Sequence, residues 1–153
     1  MNDKPAEKRL ADFMAKYSPE IAALAQATLA KMRERLPGAV ELVYDNYNAL
    51  AIGFGPNEKA SDAIFSIALY PRWVSLFFLQ NGARLPDPKK LLKGKGKLVR
   101  HIVLKEASDL GTPAIKELMN HALKLADEPI DPANRNRIII KSISAKQRPR
   151  RPS

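Results

Sequence analysis

The spacing of apolar residues changes along the chain. Over the first 36 residues they recur every three or four positions: Leu10, Phe13, Met14 and Tyr17, then Ile21, Leu24, Ala25, Thr28, Leu29, Met32 and Leu36. That is the period of one helix face, so two amphipathic helices are expected. Asn2 or Asp3 is placed to cap the first, which should run to about Tyr17 with Pro5 in its first turn. Ser18 is placed to cap the second, with Pro19 at the first helical position, Glu20 beside the positive end of the dipole, and a stop at Pro37-Gly38.

Beyond Gly38 the pattern becomes one of strands. Two nearly continuous apolar runs, residues 63–70 and 73–79, flank Pro71-Arg72 and are rich in aromatic and β-branched side chains. They predict a buried central hairpin. Pro71 fixes φ near −65°, which disfavours the mirror-image two-residue turns and favours a connection of three to five residues. Residues 40–44 and 49–54 form a second hairpin around an Asx-rich turn, and residues 99–104 a fifth strand. Thr112 as cap and Pro113 as first residue open a last helix, with Ile115, Leu118, Met119, Ala122 and Leu123 on one face. Ile138, Ile139 and Ile140 between Arg137 and Lys141 predict an edge strand whose charges discourage end-to-end pairing. Short connections favour antiparallel neighbours. The expected fold is α+β: an antiparallel sheet of five to six strands with helices mainly on one face. It occupies residues 1–145 as a single domain, and the basic segment 146–153 is expected to be a disordered tail.

Charge and composition narrow the function. The chain of 153 residues carries a formal net charge of +10 and no cysteine. Disulfide frameworks, zinc–thiolate sites, iron–sulfur clusters and cysteine nucleophiles are therefore excluded. A reducing cytoplasm fits, and no apolar run is long enough to span a membrane. The positive excess is concentrated. Residues 1–83 are neutral on balance, residues 84–105 carry +7, residues 106–134 carry −4 and residues 135–153 carry +7. Lysine and arginine at that density attract anions and bind polyanions by counterion release.

Within the first basic block, Gly94-Lys95-Gly96-Lys97 combines backbone that can approach a ligand closely with charge suited to phosphate or carboxylate. It has neither the span nor the terminal Ser or Thr of a P-loop. Arg100 and His101 follow on a strand and must point to opposite faces. Tyr44, with Asp45, Tyr47 and Asn48, and Tyr70, with Trp73, form polar and aromatic clusters able to line a pocket. Lys95, Lys97, Arg100, His101, Tyr44 and Tyr70 are thus the candidate ligand-binding residues. Only His101 and His121 offer imidazoles and no His-x-x-Glu spacing accompanies them, so no metal site or cofactor is expected. No nucleophile elbow or triad is specified either.

Tyr17-Ser18-Pro19-Glu20-Ile21, Glu41-Leu42-Val43-Tyr44 after the helix exit, and above all Leu92-Lys93-Gly94-Lys95-Gly96-Lys97-Leu98-Val99-Arg100-His101-Ile102 resemble the bacterial YdhG-like family of domains of unknown function. The resemblance covers roughly residues 13–126 and implies an α+β fold without an established activity. One branch is linked to frataxin-like iron delivery, which implies clustered exposed carboxylates near the first helix. Here Asp3, Glu7 and Asp12 alternate with Lys4, Lys8, Arg9 and Lys16. The leading expectation is a non-catalytic cytoplasmic binding module for an anionic small molecule or acidic partner. The alternatives are iron delivery and weak, sequence-independent nucleic-acid binding by phosphate contacts through the basic loop and tail.

Overall fold

The computed structural model describes residues 4–152, and the expected cap at Asn2 or Asp3 lies outside them. Helix α1 (Lys4–Ala15) and helix α2 (Pro19–Arg35) precede strands β1 (Val40–Asp45), β2 (Leu50–Gly55), β3 (Phe65–Leu69), β4 (Val74–Phe78) and β5 (Arg100–Leu104). Helix α3 (Pro113–Leu125) and strand β6 (Arg137–Ile143) complete the chain. The strands form one mixed sheet in the order β5-β4-β3-β2-β1-β6. Local signals act where the sequence places them. Ser18 Oγ accepts a hydrogen bond from the Ile21 amide at 3.3 Å, and the Leu36 amide donates to the Met32 carbonyl at 2.9 Å. The Thr112 hydroxyl instead donates to the Asp109 carbonyl at 2.8 Å, so α3 starts without the expected side-chain cap. Leu69 pairs with Val74, and the four residues between them close with the Tyr70 amide donating to the Trp73 carbonyl at 2.9 Å.

Register assigns each residue to a face, because residues directly opposed across a ladder point the same way. One face carries Val43, Ile52, Ile67, Leu76 and Ile102 in one row, with Leu50, Leu69, Val74 and Leu104 in the next. Together with Phe54, Phe65 and Phe78 they form the core with the apolar faces of all three helices. The rings of Phe65 and Phe78 meet edge-on at 5.6 Å, an arrangement that adds about 0.5–1.5 kcal/mol to their burial. Tyr17, buried against this layer, ties helix to sheet: its hydroxyl accepts from the Leu50 amide and donates to the Leu69 carbonyl, each at 3.0 Å. Burial pushes its pKa up to about 12.

Two expectations are corrected. First, the sheet is not wholly antiparallel, because β6 runs parallel to β1. The entry to both strands is held at one point: the Gly38 amide donates to Asn136 Oδ1 and Asn136 Nδ2 to the Ala39 carbonyl, both at 3.2 Å. Gly38 permits this with φ +84, since a Cβ there would lie 2.0 Å from the Asp131 carbonyl oxygen. Strand β5 runs in the same direction as β1, and the crossover through α3 returns the chain to the end where both begin, so β6 enters alongside β1 in parallel.

Second, the segment expected to be disordered is docked as far as Arg151. The buried Asp45 carboxylate lies on the helix side, where it accepts from Lys16 Nζ at 3.0 Å and from an Arg150 guanidinium nitrogen at 2.9 Å. Arg150 is only 6% exposed and also donates to the Asn46 and Tyr47 carbonyls. Arg151 reaches the Lys16 carbonyl. An unpaired charge at Asp45 would cost several kcal/mol, and the tail supplies a counterion that composition alone does not reveal. The other helix-side acid on β1, Glu41, receives a two-pronged contact from Arg33 at 2.8 Å, and Arg33 in turn grips Glu7. These carboxylates raise the Arg33 pKa.

Arg150→Ala is expected to lower unfolding free energy by up to about 3 kcal/mol in denaturant titrations, with Lys16 limiting the loss, and to expose the tail to trypsin after Lys146. Burial raises the Asp45 pKa, but hydrogen bonds from Gln147, Lys16 and Arg150 outweigh it and leave the group below its ordinary 3.8. Its contribution is thus complete above that value and is lost as pH falls through the lower folded value. Asp45→Asn should remove this part of the acid-side slope of stability.

Candidate functional site

The second sheet face follows from the same pleat. One row across it reads His101, Phe77, Ser66, Gly53, Leu42 and Ile139, and the next Val103, Ser75, Ala68, Ala51, Tyr44 and Ser142. The centre of both rows is small: Gly53, Ala51, Ser66, Ala68 and Ser75. Larger side chains stand on either side. Among the described residues the three α-helices all pack on the opposite face, and a trough results whose floor residues Ser66, Ala68 and Ser75 lie buried below its walls. At one end Ala63 lies over Gly53, with its Cβ 3.7 Å from where a Gly53 Cβ would be, and Gln80 Nε2 donates to the Asp62 and Ala63 carbonyls. At the other end the trough opens between Asn48, Tyr47 and Tyr70 as a hollow of about 560 Å³. An adjoining hollow shares Asn48 and Tyr70 and is bounded by Trp73 and Arg148. No carboxylate is among the side chains lining either hollow.

The walls are aromatic. Tyr70 and Trp73 stack with ring centroids 4.8 Å apart and planes 22° from parallel, and Trp73 remains 41% exposed. Phe77 carries His101 against its ring at 5.2 Å. Tyr47 is 50% exposed, with the Arg148 guanidinium 5.8 Å from its ring centre. Burial alone raises the Tyr70 pKa.

The basic loop joins this face through β5. Lys93 exchanges both backbone hydrogen bonds with His101, at 2.8 and 2.9 Å. Opposed residues share a face, so Lys93 extends the row of His101 and Phe77. Lys95 and Lys97 lie in the turn beyond it. Lys93, Lys95 and Lys97 are exposed, and among the described residues none of them forms an ion pair. Asp87, the one acid of the block, receives the Leu91 and Leu92 amides at 2.9 Å, so its hydrogen-bonding capacity goes to backbone rather than to these lysines. Gly82 lets the loop approach, as a Cβ there would lie 2.7 Å from the Leu98 carbonyl oxygen and the Arg100 amide.

The six sequence candidates are therefore distributed. His101, Tyr44 and Tyr70 share the uncovered face, and Lys95 and Lys97 flank it. Arg100, opposite Phe78, belongs to the helix-side row, and its guanidinium donates to the Gly96 and Val99 carbonyls. It shapes the loop rather than offering a free fork to a ligand. Tyr44 keeps its hydroxyl buried without a hydrogen-bond partner. Phe77, Ser66, Ala68 and Ala51 were not among the candidates. Their signal is alternation of bulky and small residues in Leu50-Ala51-Ile52-Gly53-Phe54 and Phe65-Ser66-Ile67-Ala68-Leu69, hidden when both runs are read simply as apolar.

A separate hollow of about 310 Å³ lies between residues 86–91 and α3, with Glu117 and His121 on its wall. His121 is thus on the helix side and His101 on the uncovered side, so the two imidazoles do not meet. Among the described residues no helix is long and apolar enough to cross a membrane. Comparisons of the chain with protein-family models, curated proteins and solved structures find no match.

The two faces predict opposite responses to volume changes. Ala68→Leu projects into the trough and should change unfolding free energy by less than about 1 kcal/mol, whereas Ile67→Ala should cost about 2–5 kcal/mol. Denaturant titration of both variants checks this; a loss of about 1–3 kcal/mol for Ala68→Leu, the usual effect of overpacking, would show the face to be filled.

Proposed function

We propose that this protein is a non-catalytic binding module that holds an anionic ligand on its uncovered sheet face and the adjoining basic loop. The observation that carries the reading is the continuity from Lys93 through His101 and Phe77 into a trough with no carboxylate on its walls. Cations beside an apolar, partly desolvated surface attract anions more strongly than the same cations in open water. Small floor residues leave room for a ligand, and aromatic walls provide contact area at little entropic cost. The chain's lack of cysteine suits action in the cytoplasm.

Iron delivery has less support. Glu7 and Glu41 are engaged by Arg33, Asp12 by Lys8, and Asp45 by Lys16 and Arg150, so these four acids among the described residues already have cationic partners. Nor does the tail provide a free basic arm, because Arg150 is an internal counterion.

Calorimetric titration with ATP and with inorganic polyphosphate at 50 and 200 mM salt tests the proposal. Binding of at least one probe should weaken markedly at the higher salt, and Lys95→Glu combined with Lys97→Glu should reduce affinity about tenfold or more. Absence of salt-sensitive binding to both would overturn it.

A further inference from the structure

We infer that the ligand is a single-stranded nucleic acid lying across the uncovered sheet face, with its bases stacked on the aromatic walls and its phosphates on the basic flanks. This inference rests on the anion-binding reading and specifies its ligand. Charge alone would suit any polyanion. What selects nucleic acid is the pairing of charge with exposed aromatic planes. Trp73, backed by Tyr70, presents an exposed face at the mouth of the trough, and half-buried Phe77 with His101, their ring planes tilted by 32°, forms a second ring pair on the far wall. Every base has a π-face, so such platforms accept any sequence.

Cations stand on both sides of these platforms. Lys93, Lys95 and Lys97 are beyond β5, while exposed Arg72 lies in the turn between Tyr70 and Trp73, and Arg148 lies against Tyr47 near the start of β2. Neighbouring strands are about 4.8 Å apart, so the three to four spacings from β5 to the β1–β2 turn place Arg148 roughly 15–20 Å across the sheet from these lysines, with Arg72 between them. One nucleotide is too short to touch both; a strand of several nucleotides is not. Between the flanks, the floor of Ala51, Ser66 and Ala68 lets a planar ring approach the sheet. The Asn48 side chain stands where both hollows meet. Polar groups on a small, adaptable floor suit contact to bases without strong sequence readout.

The test uses the full chain and a fluorescein-labelled eight-nucleotide strand, dT8 or rU8, followed by anisotropy and by quenching of the single tryptophan. Competitors are ATP, inorganic polyphosphate and vesicles of anionic phospholipid. The octamer should bind, quench Trp73 and outcompete ATP at least tenfold. Trp73→Ala and Phe77→Ala should each weaken it about tenfold or more, with Trp73→Phe restoring most of the loss. Lys95→Glu with Lys97→Glu should reduce the slope of log K against log salt by about two. Circular dichroism melting checks that each variant is folded, and half-exposed Trp73 makes its alanine variant the informative one if Phe77→Ala melts early. Equal binding of polyphosphate, insensitive to Trp73→Ala, would overturn stacking while leaving an anion site. ATP binding as tightly as the octamer would replace a strand with a small ligand. Binding to vesicles alone, through exposed Leu98 and Val99, would replace nucleic acid with a membrane surface. No binding to any probe would remove both readings.

Discussion

Bulky and small side chains alternate along β2, β3 and the first half of β4 in step with the pleat, and this constraint divides the molecule. Because neighbouring residues on a strand point to opposite faces, Leu50, Ile52 and Phe54 gather on one side with Phe65, Ile67, Leu69, Val74, Leu76 and Phe78. The three helices cover that side and supply most of the hydrophobic stabilisation. The other side receives Ala51, Gly53, Ser66, Ala68 and Ser75, which bury too little area to hold a second helix layer and leave a trough. A shift of register by one residue would exchange the faces, so the core and the candidate site are specified by the same register.

Strand β1 is the exception to the apolar pattern on the helix side. It places Glu41 and Asp45 there, at the margin of the core, and both are buried. Their partners come from distant parts of the chain: Arg33 from α2, Lys16 from the link after α1, and Arg150 from the C-terminal segment. Burying an ion pair often adds little net stability, yet leaving a buried acid alone is costly, so such contacts act chiefly to specify where each element docks. The Asn136 contacts act alongside them by setting the entry of β6, which pairs in parallel with β1.

This division changes the meaning of the positive charge. Two basic blocks of equal net charge have different roles. The C-terminal block neutralises an internal acid through Arg150 and closes the β1–β2 turn, while the block before β5 leaves Lys93, Lys95 and Lys97 exposed beside the trough. Arg100 belongs by sequence to the same block as these lysines but folds back onto its own loop. Formal charge counts these groups alike; local hydrogen bonding distinguishes cations that hold the fold from those available to a ligand.

The α+β class, the positions of the three helices and six strands, and the central hairpin were legible in the sequence because they depend on local periodicity and on turn and cap residues. Ser18-Pro19 and Pro71 act within a few residues of themselves, so their effect is written next to them. Alternation of large and small residues was also present, although its meaning as a trough depends on three strands aligning in one register. The parallel course of β6, the docking of Arg150 on Asp45 and the separation of Arg100 from Tyr70 were decided only by tertiary structure. Each joins residues tens of positions apart or divides neighbours between faces, and no local propensity encodes which distant charge will reach a buried carboxylate first.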